Sequence, residues 1–312
     1  MSDKGIAAIG ECMLELSGSG GADWRMGFAG DTLNTLWALN ALAGKDRPAS
    51  YVSAFGDDPF SRDQIAFFEK NGIGIAASPL IAGARPGLYA ITLAGAERSF
   101  TYWRSDSAAR QLASDPAALM KSLENQSLVY FSGITLAILE PAARKVLMQA
   151  IATARAGGAT IAFDANYRPR LWASVEEARA AVNEALALSD IALPTFPDEE
   201  MLFGDASPQA TARRLAAAGV AEIIVKNGEH AAMLCCGGKE EAIPAETVAT
   251  PVDTTGAGDS FNGSYLAARL VGRKPDEAVR SAHRVAAAVV QVRGALAPYE
   301  VLRAAFAIPP AA

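Results

Sequence analysis

From residue 128 to residue 226 the sequence alternates regularly between a short apolar run and a longer stretch with helical spacing, most of them closed by a glycine or polar stop. Residues 128–133, 159–164, 191–193 and 222–226 read as buried strands, and 141–156, 176–188, 198–203 and 207–218 as the helices beside them. Strands joined by helical crossovers form a parallel sheet covered on both faces, so the predicted fold is a doubly wound, mostly parallel α/β sheet flanked by helices. The first third fits the same scheme. Strands are expected at 5–10 and 51–56, a partly alternating stretch at 11–16, and a turn at Gly18, Gly20 and Gly21. Helices are expected after Gly30 and over 59–71, the second closed by Gly72; Gly72 to Gly74 reads as loop, and residues 275–293 as the long helix that closes the chain. The expected organisation is one α/β domain over residues 1–312.

One element breaks the pattern. Residues 87–93 and 98–104 alternate around Gly95-Ala96-Glu97 with no helix of their own, which predicts a β-hairpin on a small sheet projecting from the body.

Several function classes are excluded. Lys plus Arg (28) against Asp plus Glu (34) gives a net charge of −6 with no basic cluster, which argues for small-molecule partners and against nucleic acid. No apolar run reaches membrane-spanning length and the first residues carry no export signal, so no membrane partner and a cytoplasmic location are expected. Cys12, Cys235 and Cys236 lack metal-ligand spacing and read as reduced thiols, and the two histidines are too separated for a zinc site. Neither a P-loop nor a G-x-G-x-x-G after the first strand is present.

Asp253-Thr254-Thr255-Gly256-Ala257-Gly258-Asp259 stands out against that background, because it opens a helix expected over 259–271. Small residues before a helix allow close approach of a ligand, and the free N–H groups of its first turn suit an anion such as phosphate. A carboxylate there is either a cap or, beside a phosphate, a group that takes a proton from an attacking hydroxyl. Gly30-Asp31-Thr32-Leu33-Asn34 is a second small-residue helix entry, where Asp31 or Thr32 could serve as an ordinary cap. Asn166-Tyr167-Arg168-Pro169-Arg170 follows a strand's C-terminal end, where ligands of open α/β sheets bind.

Residues 253–261 resemble the C-terminal signature of the ribokinase-like (PfkB) carbohydrate kinases, and the resemblance extends over nearly the whole chain. It implies a ribokinase-like fold in which the projecting sheet, from about 11–28 and 86–105, is a lid. Within the family, Pro86-Gly87-Leu88-Tyr89, the stretch from Glu97 to Arg104, the stretch from Asn166 to Trp172 and the opening Gly10-Glu11-Cys12-Met13-Leu14-Glu15-Leu16 are similar to 2-keto-3-deoxygluconate kinases. The resemblance implies Asp259 as catalytic base, with the backbone N–H groups of Gly256, Ala257 and Gly258 as anion hole. It implies Gly30, Asp31 and Asn34 as ligands of sugar hydroxyls, and Tyr89, Tyr102, Arg104 and Arg168 as the residues that hold a keto-acid sugar. Lys226 and Gly228 match a nucleotide loop. Thr195 and Asp198 stand where relatives carry the Asn and Glu of an N-x-x-E motif, which would put Asp198 near a metal through water.

The implied cofactors are ATP and Mg²⁺, the implied partner a sugar acid, and the implied assembly a homodimer or higher homo-oligomer. Arginine suits the substrate carboxylate, since its planar fork pairs with one bidentately. A kinase for fructose, ribose or 2-keto-3-deoxygalactonate, and a sugar sensor that has lost transfer, are the alternatives.

Overall fold

Alternate residues of the central strands point to opposite faces, and each face buries its own core. Ile6, Ala8, Leu128, Tyr130 and Ile224 pack with the helices Asp31–Leu42, Ala257–Leu270 and Pro275–Val289. Ala7, Ile9, Val129, Phe131, Ile161, Phe163 and Ile223 pack with Pro141–Ala156, Val175–Leu188 and Pro208–Ala217. This computed structural model describes residues 4–18, 23–44, 46–94 and 97–307, so Gly20, Gly21, Gly95 and Ala96 of the expected turns lie outside it.

Among the described residues the main sheet has nine strands, in the order Lys239–Ile243, Ala232–Cys236, Glu222–Val225, Ile191–Ala192, Thr160–Asp164, Gln126–Ser132, Gly5–Ile9, Ala49–Val52 and Ile73–Gly74. All neighbours are parallel except the first two pairs. The winding direction reverses at Gly5–Ile9, which places a ligand crevice beyond its C-terminal end. Glu11, Asp164 to Arg168, Thr195 and Lys226 all follow C-terminal ends of parallel strands and so gather on that edge.

A second sheet, ordered Arg25–Ala29, Met13–Ser17, Leu88–Ala94, Glu97–Trp103, contains the expected hairpin, with Tyr89 opposite Tyr102 and Ile91 opposite Phe100. The architecture is the doubly wound, mostly parallel α/β sheet flanked by helices that the sequence predicts, with the smaller sheet beside it.

Four departures from the sequence reading bear on how the elements are arranged. The strand expected over 51–56 is cut: Gly10 N–H donates to the Val52 carbonyl, and Phe55–Gly56 leaves to pair with Leu80–Ile81. Ile73–Gly74 is an edge strand against Ala49–Ser50, with Ile73 buried, rather than loop. The last long helix stops at Val289, because the Val290 carbonyl accepts from Val252 and Asp253 N–H and Gly294 N–H donates to Asp253 Oδ2 at 2.9 Å. A further helix, Tyr299–Ala307, then packs Leu302 and Phe306 into the core.

Candidate active site

Gly256 is the N-cap of the Ala257–Leu270 helix at φ 72°, a left-handed conformation that glycine adopts without strain. Asp253 shapes the approach, its Oδ1 accepting from Thr255 N–H at 2.9 Å. Ala257 N–H is turned back to the Thr254 carbonyl at 3.3 Å, whereas Gly258 is exposed at the helix mouth.

Asp259 stands in the first turn and meets the helix that begins at Asp31. Gly263 permits this meeting, since a Cβ there would lie 2.3 Å from the Thr35 carbonyl oxygen. Asn34 therefore reaches across and donates through Nδ2 to Asp259 Oδ2 at 2.8 Å. Gly30 caps the Asp31–Leu42 helix with no side-chain cap, so neither Asp31 nor Thr32 serves as one. Asp31 Oδ2 instead accepts from Asn166 Nδ2 at 2.8 Å, and Thr32 bonds the Tyr51 hydroxyl at 2.9 Å. The Asp259 carboxyl is set among protein atoms with one open face. Its pKa is pushed up to about 7 by loss of solvation and by the charge of Asp31, and the Asn34 hydrogen bond draws it part of the way back.

Beneath the helix mouth lies a buried polar cluster. Asp164 Oδ2 accepts from Lys226 Nζ at 2.7 Å and from Asn262 Nδ2 at 2.8 Å, and Asp164 Oδ1 accepts from Asn166 N–H at 3.0 Å. Lys226 thus points inward, although a Cβ on Gly258 would still come within 3.8 Å of its Nζ. Gly228, at φ 59°, is exposed in the turn that follows. Thr195 pairs with Lys226 in an isolated bridge at the head of the Phe196–Phe203 helix.

Asp198, on that helix, accepts from Arg168 Nη1 at 3.1 Å. Burial pushes the Asp198 carboxyl above the ordinary carboxylate range, with Arg168 opposing that shift. Arg168 itself has a side chain 50% exposed and also donates through Nη1 to the Tyr167 carbonyl at 2.8 Å.

The second sheet supplies the other end. Tyr89 is buried and donates to Glu15, with burial and that carboxylate raising its pKa well above the tyrosine range. Tyr102 is 51% exposed beside it, ring centroids 5.7 Å apart, and the Arg104 guanidinium lies 5.9 Å from the Tyr102 ring. Arg104 is held by the buried Glu11.

A continuous line of contacts therefore runs from Asp259 through Asn34 to Gly30, whose N–H lies 3.4 Å from Asn34 Oδ1. Gly30 lies against the Glu11 carbonyl, and Glu11 holds Arg104. A separate groove of about 510 Å³, lined by Asn40, Arg47, Tyr299 and Arg303, sits at the far end of the Asp31–Leu42 helix and contains none of these residues.

The sequence reading assigned no role to Glu11, Glu15, Asp164, Asn166 and Asn262. Their one shared signal is a lone polar side chain beside an apolar run, at a strand's end or on a buried helix face.

The sequence pattern of the pfkB family carbohydrate kinases matches residues 3–302. The chain is 41% identical over 312 residues to a 2-dehydro-3-deoxygluconokinase of Dickeya dadantii (strain 3937), covering 97% of this chain and 100% of that one. It is 40% identical over 309 residues to the protein of that name in Escherichia coli (strain K12), covering 96% and 99%. Among solved structures, a ribokinase II from E. coli in complex with ATP and Mg²⁺ superposes with a TM-score of 0.84 at 23% identity, covering 97% of this chain and 98% of that one.

Proposed function

We infer the reaction from a plain premise: the chain belongs to the pfkB family of carbohydrate kinases. It phosphorylates the primary 6-hydroxyl of 2-keto-3-deoxygluconate, the sugar acid named in its relatives, with ATP as donor. The observation that carries this reading is the line of contacts from a carboxylate at a helix mouth, Asp259, to an arginine beside two tyrosines, Arg104 with Tyr89 and Tyr102.

In the step we assign, the sugar hydroxyl oxygen forms a bond to the γ-phosphorus as the bond between that phosphorus and its bridging oxygen to ADP breaks. The hydroxyl proton passes to Asp259. A carboxylate with a pKa near 7 is matched to this task at neutral pH. The first turn of the Ala257–Leu270 helix, with Gly258 most open and the Ala257 N–H engaged by the Thr254 carbonyl, faces the transferring charge, and Lys226 adds positive charge beneath it. Gly228 and Thr195 line the nucleotide side. Asp31 and Asn34 orient the sugar hydroxyls, while Tyr89, Tyr102, Arg104 and Arg168 receive the acid end.

The donor set fits Mg²⁺ of the kind held mainly by water and phosphate. Among the described residues no cluster of three His, Cys, Asp or Glu forms a protein cage, while Asp198 offers a carboxylate beside the crevice. When bound, the ion neutralises phosphate charge.

We also assign the second sheet as a lid inserted in one domain and as the contact in a homodimer. Trp24, Met26 and Trp103 are 40 to 57% exposed on and beside it, and a second copy would cover them. Light scattering on the wild type and on Trp103→Glu checks this, and a wild-type monomer contradicts it. An ATP-dependent kinase with free thiols suits the cytoplasm, and no described helix is long and apolar enough to cross a membrane.

The functional test is an ADP-release assay with 2-keto-3-deoxygluconate, 2-keto-3-deoxygalactonate, fructose and ribose, with product phosphate position read by NMR. The acid sugar should give the highest kcat/KM. Equal or faster turnover of a neutral ketose would overturn the assignment.

A further inference from the structure

Glu11 follows the apolar Gly5–Ile9 strand at the point where the chain leaves the main sheet for the second one, and it is 2% exposed. Its Oε2 accepts from Nη2 of Arg104, which stands 93 residues later and has a side chain only 12% exposed. The two groups meet at this one contact. Glu11 Oε1 and Arg104 Nε are both buried without a hydrogen-bond partner among the described residues.

A buried ion pair kept for stability alone would be expected to close as a fork, with two parallel hydrogen bonds, because every unsatisfied buried charge-bearing atom is costly. This pair leaves one atom unsatisfied on each side. The room around it is maintained by Gly87, where a Cβ would lie 2.6 Å from Glu11 Oε1 and 3.1 Å from the Arg104 Cβ. Three segments distant in sequence therefore converge to hold one guanidinium in one orientation.

We propose that Glu11 is a positioning residue for recognition of the acid sugar, acting through Arg104. It fixes one nitrogen of the guanidinium, so that the remainder of the fork keeps a single orientation toward the substrate carboxylate. It also offsets the charge of Arg104, so that Arg104 contributes orientation rather than long-range attraction. This positioning role rests on the reading of the substrate given above.

The test uses Glu11→Gln, Gly87→Ala, Arg104→Met and the Glu11→Gln/Arg104→Met double variant. Each is assayed with 2-keto-3-deoxygluconate and with the analogue whose carboxylate is reduced to an alcohol, and acid-sugar binding is measured separately by calorimetry. Glu11→Gln replaces the ion-pair hydrogen bond by one to a neutral amide, which holds the guanidinium less stiffly, and should raise KM and Kd for the acid roughly tenfold. The KM for the alcohol and for ATP should stay within about twofold, the size of a remote surface change. Gly87→Ala should reproduce this pattern with both charges still present, and it carries the test if Glu11→Gln does not fold. The double variant should be no worse than Arg104→Met alone.

Equal losses on the acid and the alcohol, or losses that multiply in the double variant, would reduce Glu11 to a support of the fold and overturn the proposal. Wild-type protein that turns over other sugars but does not bind the acid would overturn the substrate reading itself, whatever the variants do.

Discussion

Two carboxylates mark the two ends of the crevice, and they are held in opposite ways. Asp259 is held by a neutral amide, Asn34, and faces a second carboxylate, Asp31, that is itself held by the amide of Asn166. Glu11 is held by a full positive charge, Arg104. An arginine beside Asp259 would have fixed it equally well in space but would have lowered its proton affinity, removing the property a base needs. At the Glu11 end no proton moves, and a charge-assisted bond gives the stiffest orientation. The difference teaches that amide partners accompany the group expected to react and ionic partners the group expected to recognise.

Removing the reactive carboxylate should have the largest effect. Asp259→Asn is expected to lower kcat at least ~10²-fold, the range typical of general-base loss, with acid-sugar Kd little changed. Single-turnover rates and calorimetry check it, and near-normal turnover would end the contrast.

Arg168→Ala should come next, raising KM for the acid sugar on the order of tenfold or more, as loss of a charge-assisted contact does, while leaving that for the alcohol analogue nearly unchanged. An equal KM for the acid in the variant would remove Arg168 from the acid end.

Asn34→Ala sharpens the amide side. The wild-type kcat/KM should rise with pH through about 7, the value to which Asp259 is pushed, and loss of the Asn34 hydrogen bond, which lowers that value, should move the limb to higher pH.

The smallest effect is on stability. The folded pKa of Asp259, about 7, exceeds its ordinary 3.8, so the folded state binds more protons between these values and wild-type stability falls as pH rises through that window. Asp259→Asn escapes the loss. Its advantage in denaturant melts should grow from about pH 5 to about pH 8 by on the order of 1 kcal/mol, discounted for the open face of the carboxyl. A constant difference would contradict a raised pKa.

The parallel core was legible because strands such as Thr160–Asp164 are continuous apolar runs between clear stops. The signature helix was legible because Gly256 to Gly258 has few other uses. Edge elements were not: Lys239–Ile243 is charged and largely exposed, so no apolar run announces it. The apolar pattern of the last long helix continues through Val292, and only the distant demand of Val252 and Asp253 for the Val290 carbonyl ends it.

At the site, the residues that the resemblance singles out are the ones expected to face ligand, whereas Asp164 and Glu11 hold Lys226 and Arg104 from behind and Asn262 in turn holds Asp164. Their partners lie 62 to 98 residues away, a separation that no local spacing reports.

The most direct measurement is kcat/KM for 2-keto-3-deoxygluconate against the same sugar with its carboxylate reduced to an alcohol, both at one ATP concentration. The arginine-lined acid end should favour the acid by on the order of 10²-fold, the combined effect of two charge-assisted contacts. A ratio near one would show that the second sheet does not read the carboxylate, and would contradict the account.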